Sequence, residues 1–251
     1  RQAFLDFLAV LGVDDPEDLV RRHPLRGHSL PYGNALTRPW SDNTLLVGDS
    51  SWSGTTTLSG DVDGSLLPPE GISDYRLVPR PDGAMVAAWA SYHGGPDTIR
   101  FLTRAARSAA WDPTPVDIDQ DGSSPSRVSV QFNASGDGIA VWTAMVGSDA
   151  FMRFSRYHAA ENRWDSGADA FPITDASTRP QVALGPLGNA TVLWDGNGSP
   201  LLSGSLPAGS QAWTADADPL TPAGHSTYTA AVASDRSGNM VAVYQDYADS
   251  D

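Results

Sequence analysis

From about residue 40 onward, apolar and polar positions recur in short alternating runs on a long beat. The run Gly83-Ala84-Met85-Val86-Ala87-Ala88-Trp89 returns as Gly136-Asp137-Gly138-Ile139-Ala140-Val141-Trp142. It returns again as Gly188-Asn189-Ala190-Thr191-Val192-Leu193-Trp194 and as Gly238-Asn239-Met240-Val241-Ala242-Val243-Tyr244. The closing aromatic falls at 89, 142, 194 and 244, in steps of 53, 52 and 50 residues. A second series, Trp111, Trp164 and Trp213, keeps the same beat, with Trp52 a looser member. Two markers sharing one period define an internal repeat of about 50 residues.

Before each run lies an alternating segment, such as Val128-Val130-Phe132 or Pro180-Val182-Leu184, and a turn containing Gly separates the two. Apolar residues at every second position put one strand face into a core, and Gly, Pro, Asp or Asn at the boundaries read as turns joining the strands. Two more short segments follow in each unit, for example 151–157 and 169–173, with the second Trp between them. Four strands per unit predict an all-β fold, a β-propeller of four-stranded blades. A β-sandwich is the alternative, although it does not demand such regular self-similarity.

Complete units span 74–125, 126–178 and 179–226, while 40–72 reads as a last half-unit and 227–251 as a first half-unit. Joined, the halves would close a fourth blade and cover the open sheet edges; otherwise the chain is cut from a larger ring. An N-terminal helical or irregular extension is expected over 1–39, where Phe4, Phe7, Leu8 and Leu11 have helical spacing before Pro16. The propeller domain then covers 40–251.

A position that every unit keeps serves the scaffold, so the repeated Trp residues are expected between blades. A ligand site belongs where the units differ. If each innermost strand leaves one face and the second strand returns to it, the loops after the aromatics and the links between blades share one rim. That rim receives Tyr92, His93, Asp97, Asp149, Asp195, Asn197, Asp246 and Tyr247 from the loops, and Arg76, Arg127 and Arg179 from the links, beside Asp74 and His225. Carboxylates and amides bind hydroxyls and rings stack on C–H faces, so the mixture suits a polyhydroxylated ligand. Plain polar turns are the alternative. The three Arg residues form either an anion-binding cluster at the axis or pairs with neighbouring Asp.

Asp117-Ile118-Asp119-Gln120-Asp121-Gly122 alternates three carboxylates before a Gly, a pattern that supplies oxygen ligands for calcium. Asp117, Asp119 and Asp121 are therefore candidate Ca2+ ligands. The twelfth position is Val128 where a calcium loop has a bidentate Glu, so the segment is an incomplete site or a solvated acidic turn.

Composition narrows the partners. The 251 residues carry a net charge of −14; all 16 basic residues are Arg, 27 of the 30 acidic ones are Asp, and there is no Cys. Such a balance repels nucleic acid and anionic membranes, and no apolar run approaches the roughly 18 residues of a membrane span. Without Cys there is neither a disulfide framework nor thiol chemistry. Neither a Gly-x-Ser-x-Gly elbow nor a phosphate-binding loop occurs, the five His are scattered, and Glu17, Glu70 and Glu161 lie outside the rim loops. A chain starting at Arg1, without a signal segment, reads as a mature or excised piece of a longer product. Abundant Asp, Ser, Thr and Gly without Lys suits an extracellular protein.

The pattern Gly-Asn-x-x-Val-x-Trp at 188–194, followed downstream by Trp213, resembles the blade repeat of secreted bacterial, actinobacterial-type, lectin-like β-propeller proteins. The signatures of WD and kelch repeats are missing. The resemblance implies a non-catalytic module that binds carbohydrate or a cell surface. One alternative is a protein-interaction scaffold of a larger secreted assembly such as a toxin particle, with the N-terminal segment docking a protein partner. Another is a sialidase-like glycoside hydrolase.

Overall fold

The computed structural model describes residues 41–42, 56–57, 71–92, 97–106, 108, 110–119, 121–195, 200–222 and 225–248. All fall within the compact unit Ala35–Asp251. The extension expected over 1–39 lies outside the described residues, as do His93, Asn197 and the side chain of Tyr247.

The fold is the expected all-β propeller of four-stranded antiparallel blades. A small ladder pairs β1 (Ser41–Asp42) with β2 (Thr56–Thr57). The first complete blade is the meander β3 (Gly71–Pro79), β4 (Met85–Tyr92), β5 (Thr98–Arg104) and β6 (Val116–Ile118). The second contains β7 (Ser124–Phe132), β8 (Gly138–Val146) and β9 (Asp149–His158). Its outer edge is shared by β10 (Arg163–Trp164), which pairs with the end of β9, and β11 (Ala168–Ile173), which pairs with its start. The third blade is β12 (Gln181–Leu184), β13 (Ala190–Trp194), β14 (Leu202–Leu206) and β15 (Thr214–Ala215). A final hairpin pairs β16 (His225–Ser234) with β17 (Met240–Ala248). Among the described residues β1–β2 and β16–β17 are separate two-stranded ladders, so the pairing expected to merge the two halves into one blade is not formed there. No helix among the described residues is long and apolar enough to cross a membrane.

One turn recurs in every unit and explains the conserved Gly. The N–H of Gly83, Gly136, Gly188 and Gly238 donates to the carbonyl of Arg80, Asn133, Gly185 and Asp235 respectively, at 3.0–3.1 Å. Those four glycines have φ of +84, +89, +85 and +87°, a region that costs a side-chain-bearing residue about 1 kcal/mol or more. At this end polar side chains reach into the next blade. Arg80 Nη1 donates to Tyr157 Oη at 2.9 Å, Asn133 Nδ2 to the Gly185 carbonyl at 3.3 Å, and Asn189 Nδ2 to the Gly238 carbonyl at 3.4 Å.

The cores lie between blades, as the repeated aromatics predict. Trp142 and Trp164 join Ala88, Ile99, Phe101 and Val128 between the first and second blades. Trp194 and Trp213 join Val141, Met152, Phe154 and Phe171 between the second and third. Trp89 and Trp111 pack with Ala87 and Leu102 on the opposite face of the first blade. Each pair therefore faces the preceding unit. Phe101 stacks on Trp164 at 4.3 Å between ring centres, and its counterpart Phe154 meets Trp213 edge-on at 5.8 Å. A buried ring of this size removes 150–250 Å² from water, about 4–6 kcal/mol of transfer free energy as an upper bound.

The strands nearest the axis are the first of each blade. β7 packs beside both β3 and β12, and β12 beside β16. This arrangement brings the links between blades and the ends of the second strands to one rim, where the units differ most.

Candidate functional site at the axial rim

Each of β3, β7 and β16 is interrupted by a bulge near this rim, between Ser73 and Arg76, Ser126 and Ser129, and Thr227 and Ala230. Two bulged positions hold non-glycine residues in the left-handed region, Asp74 at φ +51° and Arg127 at φ +57°. Such backbone costs on the order of 1–3 kcal/mol and persists where surrounding structure holds it. An extra residue in one strand re-aims the side chains beside it. Here it sets Asp74 Oδ2 3.3 Å from the Arg127 N–H, tying the first blade to the second.

The register also decides which arginines belong together. Arg76 opposes Ala88 as Ser129 opposes Val141, so Arg76 is the counterpart of Ser129, and Asp74 is that of Arg127. Arg76 donates instead to the Tyr75 carbonyl at 2.9 Å. The expected trio of arginines is thus Arg127 and Arg179, with Asp74 in the third place. Neither Arg127 nor Arg179 has a carboxylate oxygen of a described residue within 4.0 Å.

Asp195 follows β13 directly and is half-buried. Burial pushes its carboxyl above the ordinary Asp value, while backbone hydrogen bonds at Asp195 and Arg179 and the charges of Arg179 and Arg127 act the other way. Its counterpart in the second blade is Thr143, whose hydroxyl meets Ser126 Oγ at 3.0 Å and the Ala176 carbonyl at 3.0 Å. In the third blade the corresponding hydroxyl, Thr178 Oγ1, is buried without a hydrogen-bond partner among the described residues. A neutral pair in one unit has become a carboxyl and an unsatisfied hydroxyl in the next, a state that costs about 1–3 kcal/mol.

Asp175, on the link into β12, completes the group. It accepts from the Ser177 N–H at 2.7 Å and from Ser177 Oγ at 2.6 Å. Those bonds hold its carboxyl below the ordinary range, helped by the charge of Arg127. Sequence reasoning missed Asp175 and Thr178. The Asp-x-Ser spacing marks a turn, yet nothing local shows that the turn faces Arg127.

The other described candidates have the following surroundings. Tyr92 donates to the Pro125 carbonyl at 3.0 Å, and its ring packs between the first two blades. Asp246 pairs with His225 Nδ1 at 2.9 Å. Asp97 precedes β5, and Asp149 is exposed on the β8–β9 turn.

The three carboxylates of the acidic loop diverge. Asp117 takes Arg100 Nε and Nη2 at 2.6 and 2.8 Å. Asp119, whose side chain is fully buried, pairs with Arg153 Nη1 and accepts from Trp142 Nε1 at 2.6 Å and Ser123 Oγ at 3.2 Å. Asp121 meets the same Arg153 at 2.9 Å. These oxygens thus meet guanidiniums from β5 and β9. Among the described residues no group of three or more His, Cys, Asp or Glu is placed to hold a metal ion.

No family model and no curated protein matches the sequence. Solved structures do. A protein of unknown function from Dyadobacter fermentans aligns at 11% identity and TM-score 0.51, over 71% of this chain and 63% of that one. The intramolecular trans-sialidase from Ruminococcus gnavus, in complex with oseltamivir carboxylate, aligns at 12% identity and TM-score 0.52, over 79% and 44%. A thermostable family-43 glycoside hydrolase aligns at 11% and 0.51, over 85% and 78%. At such identities the likeness shows the fold, and it defines the class: a β-propeller like those of glycoside hydrolases and sialidases. The chain spans less than two thirds of the first two proteins.

Proposed function

We propose that the axial rim is a carbohydrate site and that the protein processes a glycoside carrying an acidic sugar. One observation carries this reading: two carboxyls near Arg127 sit in contrasting surroundings, Asp195 half-buried, which raises its proton affinity, and Asp175 hydrogen-bonded by Ser177, which lowers it. Separated proton affinities are what glycoside hydrolysis needs, one group to give a proton and another to stay ionised. In this assignment Asp195 protonates the leaving glycosidic oxygen as the C–O bond breaks. Asp175 faces the positive charge that develops on the sugar, and water supplies the new hydroxyl and returns a proton to Asp195. Arg127 and Arg179 hold the sugar's carboxylate, and the Thr178 hydroxyl offers a further contact.

The test is hydrolysis of fluorogenic sialic-acid and uronic-acid glycosides. Asp195→Asn is expected to lower kcat by about 10²-fold or more while sugar binding survives, and Arg127→Ala and Arg179→Ala to weaken binding. Activity should fall as pH rises through the raised Asp195 value, since the acid must be protonated, and fall again as pH drops through the lowered Asp175 value. No turnover of any acidic glycoside, or an Asp195→Asn variant as active as the parent, refutes the enzymatic reading. The lectin-like expectation stays as the second reading because Arg179 is exposed and unpaired among the described residues, an arrangement sufficient for recognition alone. It predicts binding that depends on both arginines, with no turnover.

A further inference from the structure

Beside the axial cluster a cleft of about 520 Å³ opens between the β8–β9 turn and the link from β11 to β12. Its wall includes Ser148, Asp149, Phe151, Pro172, Thr174 and Asp175. The volume lies within the roughly 300–1,000 Å³ of small-molecule sites. Phe151 and Pro172 are direct cross-strand neighbours of β9 and β11, so the apolar part of the wall rests on a paired ladder. Around it stand two carboxylates and two hydroxyls, and the described lining contains no basic side chain.

We infer that this cleft is a subsite for a second, uncharged sugar unit attached to the acidic unit held by Arg127 and Arg179. The inference rests on the axial reading proposed above and names the ligand more narrowly, as an acidic sugar linked to a neutral one. Sugar hydroxyls donate to the carboxylates of Asp149 and Asp175 and exchange hydrogen bonds with Ser148 and Thr174. The C–H face of a pyranose lies against Phe151 and Pro172. A second acidic unit would meet two carboxylates and no compensating cation, which excludes it. Asp175 makes the two places contiguous. It lines the cleft together with Ala176, whose carbonyl accepts from the rim residue Thr143 at 3.0 Å, so the bond between the two units runs past it.

Titration calorimetry separates this subsite from the axial site. The probes are N-acetylneuraminic acid and glucuronic acid as single units, and each of them linked to galactose. For the intact chain the linked form is expected to bind about tenfold more tightly than the single unit, the yield of two neutral hydrogen bonds. Phe151→Ala and Asp149→Asn are both expected to bring that ratio close to one. Asp149 is exposed, so Asp149→Asn keeps the test decisive where Phe151→Ala fails to fold. A ratio near one in the intact chain, or a tenfold ratio surviving in Asp149→Asn and in folded Phe151→Ala, overturns the subsite while leaving the axial reading in place. Absence of binding by all four probes overturns the axial reading and the subsite with it.

Discussion

Replacing Asp119 by Ala removes the centre of the polar group that joins the acidic loop to the second blade. Asp119 has a fully buried side chain and satisfies three donors: Trp142 Nε1 at 2.6 Å, Ser123 Oγ at 3.2 Å and the Arg153 guanidinium. Trp142 is itself 0% exposed, so its N–H would lose its acceptor where water cannot replace it, a cost of about 1–3 kcal/mol. Arg153, with 7% of its side chain exposed, would keep Ser123 Oγ at 3.3 Å and two carboxylates, Asp121 and Asp169, each more than half exposed. Breaking a buried pair from one side costs about 3–5 kcal/mol, and the two remaining carboxylates offset part of it. The expected loss is therefore about 3–4 kcal/mol. Arg153→Met should cost less, about 2 kcal/mol, because the orphaned Asp119 keeps two donors and burial already favours its neutral form. Urea denaturation of both single variants and the double variant reads the coupling, expected at about 1–3 kcal/mol. An Asp119→Ala loss under about 1 kcal/mol, or strict additivity in the cycle, would refute the claim that one buried network fastens the loop.

Gly138→Ala tests close packing in the same blade. An added Cβ would stand 2.5 Å from Phe132 Cε1 and 3.2 Å from Tyr157 Cβ, so thermal denaturation should show a loss of about 1–3 kcal/mol. A melting temperature equal to the parent's would contradict that geometry. Because Arg153 and Arg100 take up the acidic-loop carboxylates, EDTA and millimolar CaCl2 should leave the melting temperature unchanged. A rise of several degrees with calcium would restore the metal reading of Asp117, Asp119 and Asp121.

How far sequence carries depends on the range of the interaction that decides each feature. The recurrent Gly at 83, 136, 188 and 238 is legible because a five-residue turn needs a positive φ within its own span. Trp89, Trp142 and Trp194 are legible as interblade residues because a repeated aromatic needs a repeated pocket. The acidic loop shows the limit. Its spacing is that of a cation loop, but that Asp119 and Asp121 meet Arg153 depends on the pairing of β9 with β8 and β11 more than 30 residues later. At the rim the 53-residue step from Trp89 to Trp142 already sets Asp74 as the counterpart of Arg127, but the hydrogen bond from the Arg127 N–H to Asp74 exists only because the first strands of two blades stand side by side.

Local periodicity and turn chemistry thus determined the strands, the blades and the aromatic cores, since each answers to neighbours within one repeat of about 50 residues. Tertiary structure alone decided the site. Asp74, Arg127, Asp175, Arg179 and Asp195 come from three units, and the arginines act on the Asp175 and Asp195 carboxyls only once the blades stand side by side around an axis.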